Sequence, residues 1–446
     1  MEERRQKVAA FVRSGRFANA ASGAVMSPRL DQPLAPSRRE FLSAGIALSA
    51  AGATLFHMPA AWSQATVAIS PFRYRAPQAA LDDLRTRLAR TRWPERETVS
   101  DWSQGVPLAK LRALVDYWRG GYDWRRCEAA LGRIPQFRTT LDGLGIHFIH
   151  VRSRHPNALP IVMTHGWPGS IIEFMEIIAP LTDPTAHGGR AEDAFHFVSP
   201  SLPGFGFSDK PSARGWDADR IAKAWGELMG RLGYQRFVAQ GGDWGTFVTT
   251  RMAQLHVPGL AAIHLTMPQV IPDKLPATLT AAQQRALDAQ KRFETDQFGY
   301  FALQMTRPQT IGYPLADSPA GQAAWIYEKF HAWTDNKGNP EDALTRDQML
   351  DNITLYWLTD TAASSARIYA EHAGVRESKN AGVVDLPVGV SIFPHEIFPA
   401  PREWAEQFFP KLVYWNEPAR GGHFAAFEEP QLFTDEMRNF ARAIRG

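Results

Sequence analysis

Cysteine is almost missing from this 446-residue sequence, and neither sign of charge dominates it. The single cysteine, Cys127, excludes an internal disulfide and a metal centre built from several thiolates. Lysine and arginine together number 49 against 46 for aspartate and glutamate, so a net charge of +3 gives no reason to expect nucleic acid as a ligand. The hydrophobic share of 44% and charged share of 21% are ordinary for a soluble globular protein, and the length indicates two or three folding units.

The first 65 residues differ in kind from the rest. Ser37-Arg-Arg-Glu-Phe-Leu42 precedes a weakly apolar run, Ala44–Phe56, which is rich in alanine and glycine. A run of about 13 residues is too short to cross a bilayer as a helix, and small residues near Ala65 offer a cleavage point. This order resembles a twin-arginine export leader and predicts a periplasmic or secreted bacterial protein, exported folded by the twin-arginine translocase, without a stable membrane anchor. A disordered basic tail or an uncleaved anchor is the alternative, and Met26 is a second candidate start.

Residues 66–145 are predicted to form a helical N-terminal segment. Leu81, Leu84 and Leu88 recur at a spacing of three and four, which is the period of a helix with one buried face. A second amphipathic stretch covers Leu108–Trp118, and a third short helix is expected after Trp124. The segment offers no obvious catalytic group.

From Ile146 the pattern changes to short apolar strands that alternate with helices. The strands are predicted at Ile146–Val151, Ile161–Thr164, Phe195–Ser199, Phe237–Ala239, Ala261–Leu265, Pro387–Phe393 and Leu412–Trp415. Such a pattern is typical of an α/β protein whose parallel sheet is buried on both faces. Polar, helix-like residues 273–386 separate a first core part, 146–272, from a second, 387–446. An insertion at this place lies over the carboxyl ends of the strands, so we expect a helical lid.

Gln240-Gly-Gly-Asp-Trp-Gly245 closes one of these strands and opens a helix, which is the frame of a nucleophile elbow. The bend exposes its central side chain above the sheet, and here that residue is Asp243 in place of a serine. A carboxylate can open a strained carbon–oxygen ring or displace a halide and leave an ester that water hydrolyses, whereas a serine would leave an inert ether. The motif predicts alkyl transfer to Asp243 followed by hydrolysis. A tight glycine turn with a solvated aspartate is the alternative.

His165-Gly-Trp-Pro-Gly169 follows the strand that ends at Thr164. In elbow hydrolases a loop at this place supplies one backbone N–H of the oxyanion hole, and the residue after the nucleophile supplies the other. The predicted donors are therefore the N–H groups of Trp167 and Trp244. For the loop alone, a plain strand-to-helix turn is the alternative.

A base is expected after the last strand, because the chain order in this fold is nucleophile, acid, histidine. Gly421-Gly-His-Phe424 occupies that place, and His423 is the predicted base. Glu396 follows the preceding strand and is the predicted acid, which would fix the imidazole tautomer and stabilise the imidazolium. Asp273, after an earlier strand, is the rival acid.

With these residues in place, the chain resembles the microsomal-type epoxide hydrolases, a branch of the α/β-hydrolase fold. The likeness runs from about Pro71 to the C terminus and adds Trp93-Pro94, Thr306–Gly312 and Asp317-Ser-Pro319 to the motifs above. It implies a mostly parallel sheet with helices on both faces, an N-terminal helical segment that wraps the core, and a helical lid.

In the family that it resembles, the lid supplies two tyrosines that hydrogen-bond the epoxide oxygen. They map onto Tyr300 and Tyr369. The chemistry agrees, because an oxygen that becomes an alkoxide needs a donor as its charge develops, and phenols with a reference pKa of about 10 stay protonated at neutral pH. The alternative for both is an ordinary half-buried lid aromatic.

The resemblance implies conversion of small apolar epoxides and water to vicinal diols, with no metal and no cofactor. A haloalkane dehalogenase, whose halide would be held by tryptophan side chains, and a ligand-binding protein on a hydrolase scaffold stay as alternatives. A homodimer is left open. The predicted apolar lining of the substrate pocket is Phe205, Phe207, Trp325 and Phe330.

Overall fold

A nine-stranded sheet lies at the centre of the computed structural model, which describes residues 68–372 and 382–445. The strands are β1 Ser70–Pro71, β2 Gln136–Leu141, β3 Leu144–Val151, β4 Leu159–Thr164, β5 Phe195–Pro200, β6 Phe237–Gly241, β7 Leu260–Leu265, β8 Val388–Ser391 and β9 Leu412–Asn416. Across the sheet they follow the order β1-β2-β3-β5-β4-β6-β7-β8-β9. The predicted export leader, residues 1–65, lies outside the described residues.

The larger part of the sheet is parallel, which confirms the predicted fold class. All pairings from β5 through β4 and β6 to β9 are parallel. Because β4 lies between β5 and β6, the chain leaves β4 toward one side of the sheet and later returns to the other. Such a reversal opens a crevice at the carboxyl ends of the strands. Every residue of β6 is buried, so both faces of the sheet are covered there.

Helices cover the sheet and account for most of the remaining chain. In chain order they are α1 Gln78–Ala89, α2 Leu108–Gly120, α3 Trp124–Leu131, α4 Met175–Thr182, α5 Ala218–Arg231, α6 Trp244–Gln254, α7 Ala281–Arg292, α8 Phe298–Thr306, α9 Pro308–Asp317, α10 Pro319–Trp333, α11 Arg346–Thr359, α12 Ala362–His372, α13 Arg402–Phe408, α14 Ala425–Glu428 and α15 Pro430–Ala443. In the core, α5 packs against α6, and α4 packs against α15. No helix in the described ranges is long and apolar enough to cross a bilayer.

The N-terminal segment, residues 66–145, is helical in its middle but not at its ends, where the prediction was wrong. Three helices are present, and α1 buries the predicted leucines. The segment also contributes β1 and β2, and β2 pairs antiparallel with β3 across a two-residue turn. That turn is Asp142-Gly143, with φ of 45° and 80°. An Asp-Gly pair is preferred where both central residues need positive φ, so the hairpin signal was present in the sequence.

The described part of the predicted lid, 273–372 and 382–386, is helical and holds no strand. It leaves the core after β7 and contains α7 to α12, with a single π-helical turn at Phe293–Gln297 between α7 and α8. Helix α12 packs against both α8 and α9. The chain then returns to the core at β8. The insertion therefore starts and ends at neighbouring strands.

Candidate active site

Asp243 stands on a sharp turn between β6 and α6. Its φ is 48° and its ψ is −126°, a backbone conformation that non-glycine residues rarely adopt. The turn depends on its glycines, because a Cβ on Gly241 would collide with the carbonyl of Gly245, and one on Gly245 would collide with the carbonyl of Thr164. The Asp243 side chain is 15% exposed. The strained turn thus presents one carboxylate at the carboxyl ends of the strands, as the elbow motif predicts.

The loop after β4 brings a backbone donor to this carboxylate. The N–H of Trp167 donates to Oδ1 of Asp243 over 2.7 Å. This approach requires a glycine at position 166, where any Cβ would overlap the Asp243 side chain. Trp244 is the first residue of α6, where backbone N–H groups have no partner within the helix. The structure therefore brings both predicted oxyanion-hole residues next to Asp243.

His423 lies in the loop after β9 and contacts two carboxylates. Its Nε2 is 3.3 Å from Oδ2 of Asp243, and its Nδ1 is 2.7 Å from Oε1 of Glu396. The loop is tied to the lid, because the N–H of His423 donates to the carbonyl of Trp333, the last residue of α10, over 2.9 Å. Glu396, rather than the rival Asp273, holds the imidazole. Nucleophile, base and acid thus come from the ends of β6, β9 and β8.

The environment of His423 favours its charged form. Burial alone would lower the pKa of this imidazole, but the Glu396 carboxylate and the hydrogen bond to Asp243 outweigh that effect and raise the pKa well above 6.5. The side chains of His423 and Glu396 are only 2% and 1% exposed. The raised pKa favours an imidazolium between the two carboxylates, and loss of the charge on Asp243 or Glu396 would lower that pKa.

Tyr300 on α8 and Tyr369 on α12 converge on the same place from the lid. The Tyr300 ring stacks on Trp167 with centroids 5.0 Å apart, and the Tyr369 ring meets Trp244 edge-on at 4.8 Å. The two tyrosine rings are 5.8 Å apart. Burial, with a smaller effect of the Asp243 charge, raises the pKa of both phenols well above 10. Both hydroxyls are therefore protonated donors at neutral pH.

The hydroxyl of Tyr369 has no hydrogen-bond partner among the described residues, although it is buried. Buried donors in proteins are nearly always paired, so an unpaired one in a crevice indicates a group that receives its hydrogen bond from a ligand. This donor lies within range of the Asp243 charge and close to the Tyr300 hydroxyl. It is placed to meet an oxygen of a bound substrate.

Two of the four aromatic residues predicted to line the substrate pocket pack elsewhere. The Phe207 ring lies against Phe72 and Tyr74 of the N-terminal segment, with centroids 5.2 and 4.7 Å away. Phe205 is fully buried and meets His165 edge-on at 5.4 Å. Neither lines the cavity beside Asp243. Phe207 therefore packs against the N-terminal segment, and Phe205 packs against the loop after β4.

The other two aromatic residues lie on α10. Phe330 is fully buried and packs on Phe424 at 5.1 Å, next to the histidine loop. Trp325 is half-buried, and its Nε1 donates to Gln304 over 2.9 Å. Neither lines the cavity beside Asp243. Contact of these four residues with substrate stays a prediction.

Two buried charged residues near the site were missed in the sequence. Glu173 follows the Trp167 loop, and burial raises its pKa to about 8. Lys329 on α10 is 2% exposed, and its Nζ lies 4.3 Å from the centroid of the Tyr300 ring. No sequence pattern separates either from a surface residue, since helices carry such residues on their exposed faces. Within residues 68–372 and 382–445, no three His, Cys, Asp or Glu side chains are grouped as metal ligands.

Comparison with known proteins gives two overlapping family matches. Residues 69–174 match the family described as the epoxide hydrolase N terminus, and residues 160–307 match the α/β-hydrolase fold family. A protein from Stigmatella aurantiaca that is named as an epoxide hydrolase is 67% identical over 378 residues, which cover 84% of this chain and 86% of that protein. Epoxide hydrolase 1 of Sus scrofa is 38% identical, and the match covers 83% of this chain and 88% of that protein.

Solved structures give the same result. The Aspergillus niger epoxide hydrolase superposes with a TM-score of 0.76 at 31% identity, covering 85% of this chain and 97% of the other. The juvenile hormone epoxide hydrolase of the silkworm Bombyx mori superposes with a TM-score of 0.74 at 30% identity, covering 85% and 94%. The match therefore includes the N-terminal segment and the lid as well as the sheet.

Proposed function

We propose, from the premise that this chain belongs to the epoxide hydrolase family of the α/β-hydrolase fold, that it converts small apolar epoxides and water to vicinal diols through an ester on Asp243. One observation supports this mechanism most directly. The N–H of Trp167 contacts Asp243, Asp243 contacts His423, and His423 contacts Glu396. These contacts form a continuous row of backbone donor, nucleophile, base and acid. Two protonated tyrosines lie on the lid side of this row.

In the first step the Asp243 carboxylate opens the ring. Oδ1 is held by the N–H of Trp167, so Oδ2 is the oxygen that attacks. A bond forms between Oδ2 and an epoxide carbon, preferably the less hindered one, while the bond between that carbon and the ring oxygen breaks. The ring oxygen becomes an alkoxide and takes a proton from Tyr300 or Tyr369, because an alkoxide is a far stronger base than a phenolate. The product is a hydroxyalkyl ester of Asp243.

Formation of the ester removes one of the two negative charges that hold the proton on His423. The pKa of His423 falls as a result, since the Asp243 carboxylate was among the groups that raised it. The imidazole gives up its proton, which restores the hydroxyl of the tyrosine deprotonated in the first step. With Glu396 still hydrogen-bonded to Nδ1, the neutral imidazole presents a basic Nε2 to water. The alkylation step therefore activates the base that the next step needs.

In the second step water attacks the ester carbonyl carbon of Asp243. Its proton goes to His423, and the carbonyl electron pair moves to Oδ1, where the N–H groups of Trp167 and Trp244 stabilise the charge. When the intermediate collapses, the diol oxygen leaves and takes a proton from His423. The new carboxyl group holds the oxygen of water and gives its own proton to His423, which restores the carboxylate and the imidazolium of the free protein.

The mechanism is tested by detecting the ester on Asp243 and by tracing the oxygen atom of water into that residue. His423→Ala is expected to form the ester with an epoxide such as styrene oxide but not to release it, which intact-protein mass spectrometry detects as a covalent adduct. In water enriched in the heavy oxygen isotope, a single turnover of the wild-type protein is expected to place that isotope in Asp243. Diol formation with no adduct on the variant and no isotope in residue 243 would refute this mechanism.

The two alternative functions are distinguished by other measurements. Release of chloride from a haloalkane without turnover of epoxides would favour a dehalogenase, but the lid tyrosines suit a ring oxygen better than a halide. A binding protein on a hydrolase scaffold would need none of the aligned catalytic groups. The intact contacts from Asp243 through His423 to Glu396 speak against it.

The proposal extends to the location of the protein in the cell. We propose that residues 1–65 direct export of the folded protein through the twin-arginine translocase, on the strength of Ser37–Leu42 and the weakly apolar run after it. The expected result is a periplasmic or secreted protein that begins near Thr66. N-terminal sequencing of the exported protein tests this, and replacement of Arg38 and Arg39 by lysine is expected to block export. Light scattering would decide on the homodimer that the sequence leaves open.

A further inference from the structure

A small polar cavity lies beside the nucleophile and the base. It has a volume of about 30 Å³, which is room for one or two water molecules. Its polar lining includes Thr164, Glu173, Gln240, Asp243, Thr266 and His423. Neither lid tyrosine lines it. The cavity is therefore on a different side of Asp243 from the tyrosines that meet the epoxide oxygen.

Glu173 reaches this cavity from the short helical turn after the Trp167 loop. Its Oε1 accepts a hydrogen bond from the N–H of Ser170 over 2.9 Å, while its Oε2 makes no hydrogen bond within the described ranges. The carboxyl group lies directly over the backbone of Gly169, where any Cβ would overlap it. The glycine therefore makes room for the carboxyl group at this position, and one oxygen stays available to the cavity.

A second polar group of the cavity lining also lacks a partner. Gln240, the residue before the glycines of the elbow, is 2% exposed, and its Oε1 makes no hydrogen bond in the described part of the chain. A buried acceptor without a partner destabilises the folded protein, and a bound water removes this destabilisation by donating a hydrogen bond to it. Two unpaired oxygens from different elements, Oε2 of Glu173 and Oε1 of Gln240, therefore indicate a water site.

We propose that this cavity binds the hydrolytic water and that Glu173 holds this water, through Oε2, in position for His423 to deprotonate it and for attack on the Asp243 ester. The inference rests on the proposed function, because it names the residue that orients the second reactant. The water needs two to four polar partners, and His423 and Glu173, which both line the cavity, supply two of them. Glu173 keeps its own protonation state through the step.

The charge of Glu173 fits this role. Burial raises its pKa to about 8, and the Asp243 carboxylate adds to the shift while the His423 imidazolium opposes it. A neutral carboxyl group at pH 7 orients water without placing a second negative charge beside the nucleophile. An ionised group there would compete with Asp243 for the imidazolium and would hold the proton on His423 when the base must be free.

Rapid-quench measurements on styrene oxide separate the two steps and test the proposal. In Glu173→Leu, ester formation is expected within about threefold of wild type, while ester hydrolysis falls about 10- to 100-fold, which corresponds to one lost hydrogen bond to the reacting water. The ester then accumulates during turnover. Glu173→Gln is neutral and keeps the shape and the hydrogen-bonding oxygen, so hydrolysis is expected to stay within about fivefold of wild type.

Ser170→Ala is the matched control for a purely structural role. The Ser170 hydroxyl accepts from the N–H of Ile172 over 3.2 Å and forms the other half of the capping arrangement with Glu173, but it does not line the cavity. It is expected to lower thermal stability without a selective loss of ester hydrolysis. A selective loss in Ser170→Ala equal to that in Glu173→Leu would overturn the proposal, as would normal ester hydrolysis in Glu173→Leu. Absence of any ester and diol in the wild-type protein would instead overturn the proposed function.

Discussion

His423 Nε2 lies 3.3 Å from Oδ2 of Asp243, so the predicted base contacts the predicted nucleophile directly. In the proposed mechanism, esterification of Asp243 removes a charge that raises the pKa of His423, which orders the two steps by electrostatics. A substrate that fails to alkylate Asp243 is then expected to fail to activate water.

Replacement of Glu396 by glutamine is expected to affect the second step more than the first. The variant removes the carboxylate that raises the pKa of His423 and that accepts the proton of Nδ1. We expect ester hydrolysis to fall about a thousandfold, in line with the loss seen when the acid of a catalytic triad is neutralised. Single-turnover kinetics would check this, with Glu403→Gln on the surface of α13 as the control. Equal loss in both steps would contradict the assignment of Glu396 as the partner of the base.

Removal of the lid hydroxyls is expected to slow ring opening and not ester hydrolysis. Tyr300→Phe and Tyr369→Phe each delete one donor to the developing alkoxide and keep the ring packed against Trp167 or Trp244. We expect each variant to form the ester about a hundredfold more slowly, and the double variant to lose more than either. Tyr313→Phe, at an exposed position on α9, is the control. An unchanged alkylation rate in the double variant would exclude both as donors.

Substitution of Gly169 by alanine is expected to reproduce part of the effect of losing Glu173. The new Cβ overlaps the Glu173 carboxyl group, which must then move away from the cavity. We expect ester hydrolysis to slow about tenfold while ester formation changes little. Gly230→Ala on α5, where nothing lies within 4 Å of the added Cβ, is the matched control for substitution of a glycine. Unchanged hydrolysis in Gly169→Ala would show that the carboxyl group need not stay in place.

The pH dependence of stability is expected to carry a contribution from Glu173. Burial raises its pKa from 4.5 to about 8, so the folded chain holds a proton that the unfolded chain has released between these values. The stabilising contribution is complete below pH 4.5 and is lost as the pH rises through 8. The melting temperature of wild type is therefore expected to fall more steeply than that of Glu173→Gln.

The melting measurement is best made between about pH 7 and 8.5, because the buried histidines other than His423 then stay neutral in both states. Burial lowers the pKa of His147 to about 3 and that of His165 to about 4, so their contributions change at lower pH. Glu428 and His423 also have raised pKa values and add to the wild-type slope, but both remain in the variant. Identical slopes for wild type and Glu173→Gln would contradict a buried, protonated Glu173.

Most strands of the parallel sheet were predictable from the sequence. So were the residues of the row of contacts that runs from Trp167 to Glu396. Strand order alone selected His423 among 13 histidines, because the fold places the base after the last strand. The same order placed Glu396 after β8, and the structure brings it to 2.7 Å from His423. The catalytic roles themselves stay predictions until the variants are measured.

What was missed depends on tertiary packing rather than on local pattern. Strand β2 was overlooked although Asp142-Gly143 marks its hairpin, because the preceding helices led to a helical interpretation of the whole segment. Glu173 was not singled out in the sequence, because it lines a cavity with the histidine loop and the Trp167 loop, which lie far apart in the sequence. Phe207 was predicted as substrate lining, and no local pattern predicted that its ring packs against Phe72 and Tyr74.

The lid leaves the core after β7 and rejoins it at the neighbouring β8, while nucleophile, oxyanion donors, acid and histidine are all encoded outside residues 273–386. A single contiguous stretch of coding sequence can therefore be recombined or shuffled to change which molecules are admitted, with the hydrolytic groups inherited unchanged. The two tyrosines restrict that freedom, because any replacement must again supply a pair of phenols above Trp167 and Trp244. Such an enzyme can therefore change its substrate range by exchange of the lid, provided that the new lid again supplies the two tyrosines.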